Sequence, residues 1–221
     1  MEQVATSVSL GTVRLAADIS VPQRARGLVL FAHGSGSSRH SPRSRYVADV
    51  LNQGVIGTVL IDLLTEQEEA QDLKTAAIRF DIRLLANRLT AITDWISRQP
   101  DLEKLGLGYF GASTGAAAAL VAAAERPKVQ AVVSRGGRPD LAGEALKSVL
   151  APALFIAGGD DAVVLDLNHA AMARLPRHTE RRLEVIPGAS HLFEEPGALD
   201  RVAELARDWF GQHLAPVSAR M

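Results

Sequence analysis

Short apolar runs alternate with longer amphipathic stretches along most of this chain. Six runs are bounded by Gly, Pro or polar residues, and they cover residues 27–33, 55–64, 105–111, 129–137, 152–159 and 182–188. Continuous rather than alternating apolar residues predict buried strands that are covered on both faces. Strands that alternate with helices predict a parallel sheet of the α/β class, with helices on both faces of the sheet.

The stretches between these runs have the apolar spacing or the small-residue content of helices. They cover residues 43–54, 80–100, 114–127, 165–176 and 198–214. Ahead of the first run, "TSVSLGTVRLAADISVP" alternates in polarity with Gly11 near a turn, which predicts an antiparallel hairpin. Together with the hairpin, the six runs predict a mixed, mostly parallel sheet of about eight strands, in a single domain of residues 1–221.

Two connections bear on how open a site on this sheet is. The most polar segment, residues 65–76, is either a solvated loop or short helix, or a lid over a site. The gap between the strand that ends near residue 134 and the strand that begins near residue 152 has room for a short helix only. We therefore expect no cap domain and a rather open site.

Composition excludes several classes of function. The net charge of −1 disfavours a nucleic-acid partner. The absence of cysteine excludes disulfides, thiolate metal sites and a cysteine nucleophile. The N-terminal residues do not resemble a signal peptide, and the longest run of low polarity, residues 115–124, is half the length of a membrane span of about 20 residues. A cytoplasmic protein without metal or cofactor is expected, as a monomer or a homodimer.

Ser113 has the most informative surroundings in the chain. It lies in "GYFGASTGAAAAL", between an apolar run and a helix of small residues, in the pattern G-x-S-x-G. This pattern is typical of a nucleophile on a tight strand-to-helix turn, where small neighbours let the strand and the helix approach closely. The alternatives are a chance match and a helix cap. A phosphate-binding loop is disfavoured, because Ala116 stands where a lysine is needed.

A serine nucleophile needs a base and an acid that orients the base. Asp160 and Asp161 follow a late strand, and His191 follows the last strand, so the order is serine, acid, histidine. His191 is the predicted base, and a structural loop histidine is the alternative. Adjacent aspartates point in different directions, so one of the two faces the histidine, and we prefer Asp161.

The remaining candidates lie in two loops. The backbone N–H groups of Thr114 and of Ser35, in the Gly- and Ser-rich loop "FAHGSGSSRHSPR", are the predicted oxyanion donors, and Gly34 adjoins the substrate. If Arg39 or Arg135 faces the cleft, the substrate carries an anion. The alternative is that both arginines are ordinary surface charge.

These motifs together resemble the α/β-hydrolase family. The stretches "FAHGSGSSRHSPR", "GYFGASTG", "SRGGRPDL" and "ASHLFEEPG" are similar to its dienelactone-hydrolase-like branch. The resemblance implies ester hydrolysis without a cofactor by a triad of Ser113, Asp161 and His191. Its G-x-x-D-x-x-V pattern supports Asp161 over Asp160. One departure is that true dienelactone hydrolases use a cysteine nucleophile, so the resemblance does not establish a dienelactone as substrate.

The sequence therefore predicts a serine hydrolase that cleaves small or projecting carboxylic esters through an acyl-enzyme. A thioesterase, a lactonase or an acyltransferase would use the same triad and stays open. A non-catalytic binding module of the same fold is the alternative from a different class.

Overall fold

A computed structural model describes residues 3–217 of the chain. Eight strands form one sheet in the order β1-β2-β4-β3-β5-β6-β7-β8. Their bounds are β1 Gln3–Leu10, β2 Val13–Ser20, β3 Gly27–Ala32, β4 Gly57–Ile61, β5 Gly106–Ala112, β6 Val129–Arg135, β7 Ala153–Gly158 and β8 Arg181–Ile186. Strand β2 pairs antiparallel with β1 and β4, and the other pairs are parallel. The mixed sheet of eight strands and its leading hairpin are confirmed.

Helices cover both faces of the sheet. They are α1 Pro42–Gln53, α2 Glu66–Thr75, α3 Ile82–Ile96, α4 Thr114–Glu125, α5 Ala162–Arg174 and α6 Ala198–His213, with 3-10 segments at Ile78–Phe80 and Pro139–Ser148. Residues of α1 and α6 share one apolar core with the sheet, and residues of α3, α4 and α5 share the other. This two-faced burial explains the continuous apolar runs, since β3, β4, β5 and β7 are buried along their whole length.

Two helices begin at residues other than the predicted ones. Helix α3 begins after Asp81, whose carboxylate accepts a hydrogen bond from the N–H of Leu84, so the predicted start at residue 80 is wrong. Helix α5 begins at Ala162, three residues before the predicted start. The polar segment 65–76 is largely helical as α2, and a capping box of Thr65 and Glu68 starts it.

The connection between β6 and β7 leaves the carboxyl edge of the sheet accessible. Within the described part of the chain, it contains only the 3-10 segment Pro139–Ser148, and the expectation of no cap domain is confirmed. None of the described helices combines the length and the apolar character needed to cross a bilayer. The extent of the domain, residues 1–221, stays a prediction.

Candidate active site

Ser113 occupies a strained turn between a strand and a helix. Strand β5 ends at Ala112, α4 begins at Thr114, and Ser113 between them has φ 51° and ψ −121°. A positive φ at a residue with a side chain costs free energy and is found mostly where function requires it. The Ser113 hydroxyl makes no capping hydrogen bond to α4. Its position is therefore not explained by helix capping.

The two glycines of the motif let β5, β3 and α4 pack closely around this turn. A Cβ atom at Gly115 would clash with the carbonyl oxygen of Ala32 at the end of β3, and one at Gly111 would clash with the Cα atom of Ala116. The G-x-S-x-G spacing thus has a direct steric cause. Any larger residue at either glycine would push the helix away from the sheet and move the serine.

His191 and Asp161 are joined by a hydrogen bond between Nδ1 and Oδ2 of 2.7 Å. Asp161 is the N-cap residue of α5, yet its side chain does not cap the helix, which leaves the carboxylate for the imidazole. Asp160 is exposed, and its N–H donates to the carbonyl oxygen of Ala189. Of the two adjacent aspartates, Asp161 is the one that contacts the histidine.

The loop that carries His191 reaches the edge of the sheet beside Ser113. The His191 ring lies 3.5 Å from the place where a Cβ atom of Gly136 would stand, and Gly136 follows β6. The Ser113 N–H donates to the carbonyl oxygen of Arg135 in that same strand, at 3.2 Å. Among the described residues, no hydrogen bond joins the Ser113 hydroxyl to the imidazole. Such bonds are often long until substrate binds.

The loop after β3 lies against the start of α4. The hydroxyls of Ser35 and Thr114 are hydrogen-bonded at 3.0 Å, so the residues with the two predicted oxyanion donors are in contact. A Cβ atom at Gly34 would stand 3.0 Å from the Cβ atom of Ser113, so only glycine fits there without a shift. The structure thus places Gly34, Ser35 and Thr114 around the serine.

His33 holds this loop, and sequence reasoning gave it no role. Its Nε2 accepts a hydrogen bond from the N–H of Leu63, so its proton is on Nδ1, which donates to the carbonyl oxygen of Gly34 at 3.0 Å. Desolvation by the surrounding protein lowers the pKa of His33, which keeps the ring neutral. The sequence contained one signal for this role, which is that His33 directly precedes Gly34 at the end of a buried strand.

A cavity that is open to solvent lies on the α2 side of Ser113. It is lined by Ser35 and Thr114 and by residues of the α2 region, among them Asp72, Leu73 and Arg79. Asp72 is buried, and although burial acts to raise its pKa, the hydrogen bonds from Arg79 and Ile78 lower it overall. Helix α2 therefore forms one wall of a cavity next to the serine, and opening of this helix as a lid stays a prediction.

The two arginines predicted near the cleft have different surroundings. Arg39 forms ion pairs with Asp62 and, at 3.7 Å, with Asp18, so its charge is already balanced. Arg135 is buried, and within residues 3–217 it has no salt bridge. The described residues also include no group of His, Asp and Glu side chains arranged to hold a metal ion.

The eight-stranded sheet, the serine turn after β5 and the histidine loop after β8 define an α/β-hydrolase fold. Residues 45–214 match the model of the Dienelactone hydrolase family. The chain belongs to this family.

Two similar proteins support this assignment. The crystal structure of a dienelactone hydrolase from Anabaena variabilis is 59% identical, with a TM-score of 0.94 over 96% of this chain and 98% of that chain. A Mycobacterium tuberculosis protein, named as a candidate phosphoribosyl transferase, is 58% identical over 94% of this chain. The match covers 46% of that protein, so the chain spans about half the length of this curated relative.

A more distant structure shares the fold alone. Est1E from Butyrivibrio proteoclasticus, solved with ferulic acid bound, is 16% identical, with a TM-score of 0.78 over 95% of this chain and 99% of that chain. The similarity shows that the same sheet and helices are built from a very different sequence.

Proposed function

We propose that this protein is a serine hydrolase that cleaves carboxylic esters, with Ser113 as nucleophile, His191 as base and Asp161 as the acid that orients it. The observation that carries the proposal is the hydrogen bond between His191 and Asp161, formed at the same edge of the sheet as the strained Ser113 turn. A histidine oriented by a carboxylate next to a hydroxyl on such a turn is the arrangement that activates serine for acyl transfer.

In this mechanism, the Ser113 hydroxyl attacks the ester carbonyl and gives its proton to Nε2 of His191. The Asp161 carboxylate accepts a hydrogen bond from Nδ1–H of His191, which selects the tautomer with a free Nε2 and stabilises the imidazolium. His191 then protonates the departing alcohol. Water, activated by the same histidine, hydrolyses the acyl-enzyme and returns Ser113 to its hydroxyl form.

The negative charge on the carbonyl oxygen is stabilised by the N–H groups of Thr114 and Ser35. The contact between their hydroxyls holds the two residues together on one side of Ser113. His33 restrains the loop by its hydrogen bonds to Leu63 and Gly34. Loss of a single oxyanion donor typically lowers kcat by about 10²–10³.

The short connection between β6 and β7 favours small esters, or esters that project from a larger molecule. The dienelactone hydrolase from Anabaena variabilis supports hydrolase chemistry for this chain. Because the chain has no cysteine, its nucleophile differs from the cysteine of true dienelactone hydrolases. Thioester and lactone substrates remain candidates for the same triad.

The name phosphoribosyl transferase is not transferred to this chain. The Mycobacterium tuberculosis protein with that name extends well beyond the match, which covers 46% of it. The residues that match belong to the hydrolase family, and we assign hydrolysis to them.

The decisive experiment measures hydrolysis of p-nitrophenyl acetate and butyrate, and labelling by a fluorophosphonate, in the wild type and in Ser113→Ala. The expected result is turnover and labelling of the wild type and loss of both in Ser113→Ala, with an unchanged circular dichroism spectrum. Wild type that is folded but neither turns over nor is labelled would contradict the proposal and favour a binding module.

A further inference from the structure

Arg135 is a buried cation to which the described chain offers no carboxylate. Only 6% of its surface is exposed, and among residues 3–217 no carboxylate lies within ion-pair distance of it. Burial lowers the pKa of Arg135 to about 10, so the guanidinium keeps its charge at neutral pH. A buried charge without a counter-ion lowers stability, and an apolar side chain of similar size would cost less. Stability therefore does not explain the arginine.

The guanidinium lies against an aromatic ring in the loop that carries His191. Its central carbon is 5.6 Å from the centre of the Phe193 ring, which is within the range of a cation–π contact. Phe193 follows His191 by two positions, is only 1% exposed and has a φ of 57°. A phenylalanine in this left-handed conformation is strained, so the surrounding structure has to hold it there. Arg135 provides part of that support.

The backbone and the side chain of Arg135 contact two different parts of the proposed triad. At the end of β6, its carbonyl oxygen accepts a hydrogen bond of 3.2 Å from the N–H of Ser113. Its side chain is on the same face of the sheet as that of Val133, which belongs to one apolar core with Phe193 and residues of α6. The nucleophile is therefore held by the Arg135 backbone, and the histidine loop packs on the Arg135 side chain.

Gly136 lets the histidine loop lie directly on the end of β6. A Cβ atom at Gly136 would stand 3.0 Å from the carbonyl oxygen of His191 and 3.2 Å from a carbon of the Phe193 ring. It would stand 3.5 Å from Cε1 of the His191 ring. Because these groups are in close contact, a shift of the Phe193 ring displaces the loop and moves the imidazole with it.

We propose that Arg135 is a positioning residue, which holds the Phe193 ring and through it sets the distance between His191 and Ser113. The rigid, planar guanidinium suits this role, because it packs on an aromatic ring in a defined orientation. Proton transfer from the serine to the imidazole depends steeply on that distance, so a small displacement of the loop lowers the rate. The inference rests on the proposed function, in which His191 is the base.

The kinetic test uses the neutral ester p-nitrophenyl butyrate and four variants. Arg135→Met removes the charge and fills a similar volume with a flexible side chain. Phe193→Leu removes the ring, and the double variant combines the two changes. Arg83→Met is the matched control, because Arg83 lies on the exposed surface of α3, where it pairs with Glu125.

We expect Arg135→Met to lower kcat by about tenfold to a hundredfold and to leave KM within about twofold, because the loop moves while the substrate contacts stay. Arg83→Met should keep both constants. In the Phe193→Leu background, Arg135→Met should lower kcat by less than about threefold, because the contact through which it acts is already lost. A kcat of Arg135→Met within about twofold of the wild-type value, or losses that multiply in the double variant, would overturn the proposal.

An NMR measurement tests the position of the imidazole without any activity. The nuclear Overhauser effect between Cε1–H of His191 and the Hα protons of Gly136 should be present in the wild type and in Arg83→Met and weakened in Arg135→Met. His191→Gln identifies the resonance. A wild type that lacks esterase activity but shows this difference would contradict the proposed function and support the positioning contact. An equal effect in the wild type and Arg135→Met, or none in the wild type, would overturn the inference.

Thermal unfolding separates positioning from a structural role. Arg135→Met should fold with a Tm equal to or above that of the wild type, because a buried charge is removed. A large fall in the Tm would show that the guanidinium is structural and overturn the positioning role.

Discussion

A buried or partly buried arginine lies on each side of Ser113, and the two arginines differ in whether a carboxylate pairs with them. On the α2 side, Arg79 donates to the buried carboxylate of Asp72 through Nε at 2.6 Å and to the Asp72 carbonyl oxygen through Nη2. On the α1 and α6 side, Arg135 faces the Phe193 ring and the cation Arg43. The comparison shows that this fold buries one arginine against a carboxylate, which stabilises a segment, and another against an aromatic ring without a carboxylate partner among the described residues.

The paired arginine connects the two parts of the α2 region. Asp72 lies in the last part of α2, and its Oδ1 also accepts the N–H groups of Ile78 and Arg79 in the following 3-10 segment. One carboxylate thus closes the turn after α2 and orients the guanidinium at the cavity. The Arg135 guanidinium has no carboxylate partner within the described chain, and its contact with the face of the Phe193 ring offsets only part of the cost of burying it.

The largest expected effect is a loss of kcat when a residue of the proposed triad is substituted, because catalysis depends on the triad on either side of Ser113. Asp161→Asn should lower kcat by about 10³–10⁴, because the amide no longer selects the required tautomer of His191. Hydrolysis of p-nitrophenyl butyrate at neutral pH measures the loss. Asp160→Asn is the matched control, since Asp160 is exposed and forms no hydrogen bond with His191 among the described residues, and it should keep activity within about twofold of the wild type. Equal losses in both variants would remove Asp161 from the mechanism.

A second prediction concerns the oxyanion side of the serine. Gly34→Ala should lower kcat by about tenfold to a hundredfold, because the added methyl group would stand 3.0 Å from the Cβ atom of Ser113 and displace the nucleophile. Ser37→Ala in the same loop should have little effect, since the Ser37 hydroxyl lines the cavity but forms no hydrogen bond with the described residues, and the backbone hydrogen bond from its N–H to Gly34 is kept. Steady-state kinetics with a neutral ester and the rate of fluorophosphonate labelling check both variants. Full activity of Gly34→Ala would show that the loop relaxes.

The comparison of the two arginines is sharpest when both receive the same substitution. Arg79→Met should lower the Tm by several degrees and speed proteolytic cleavage in residues 65–81, because Asp72 would be left buried without its partner. Arg135→Met should keep or raise the Tm. Thermal unfolding followed by circular dichroism measures both. A similar fall in the Tm of both variants would show that both arginines stabilise the fold to the same extent.

The smallest expected effect is a pH dependence of stability from His33. The folded pKa of His33 is lowered, so well above pH 6.5 the ring is neutral in both states, and as the pH falls through 6.5 the unfolded chain binds the proton first. The free energy of unfolding should fall by at most about 1.3 kcal/mol from this group between pH 7 and 5.5. Urea unfolding of the wild type and His33→Gln at both pH values measures the difference. An identical pH dependence of stability in the wild type and His33→Gln would contradict the assignment of this effect to His33.

Much of the fold could be predicted because burial on two faces leaves a plain signal in the chain. The buried runs that became β3, β5 and β7 could hardly be anything but strands, and the hairpin alternates as a surface ribbon does. The helix boundaries were harder, because a cap such as Asp81 depends on where its carboxylate points. The order of β4, β3 and β5 in the sheet likewise depends on pairing between distant segments.

The candidate site also has residues that could be predicted from the sequence and residues that could not. Ser113 could be singled out because the glycines around it are a local steric requirement that one stretch of sequence records. Between Asp160 and Asp161 local spacing gave no physical choice, and the contact with His191 is made across 30 positions of sequence. His33 was missed because its role comes from Leu63, which belongs to another strand connection.

By itself, then, the sequence determined the succession of strands and helices, the tight turn at Ser113 and the order of serine, aspartate and histidine. Each of these follows from residues that are close in the sequence, because local periodicity predicts strands and helices and the tight turn requires small neighbours. Only the tertiary structure decided that Arg39 is neutralised by Asp62 while Arg135 is not. Both arginines look alike in the sequence, because the charge balance of a side chain depends on groups that folding brings near it, and those groups lie far along the chain.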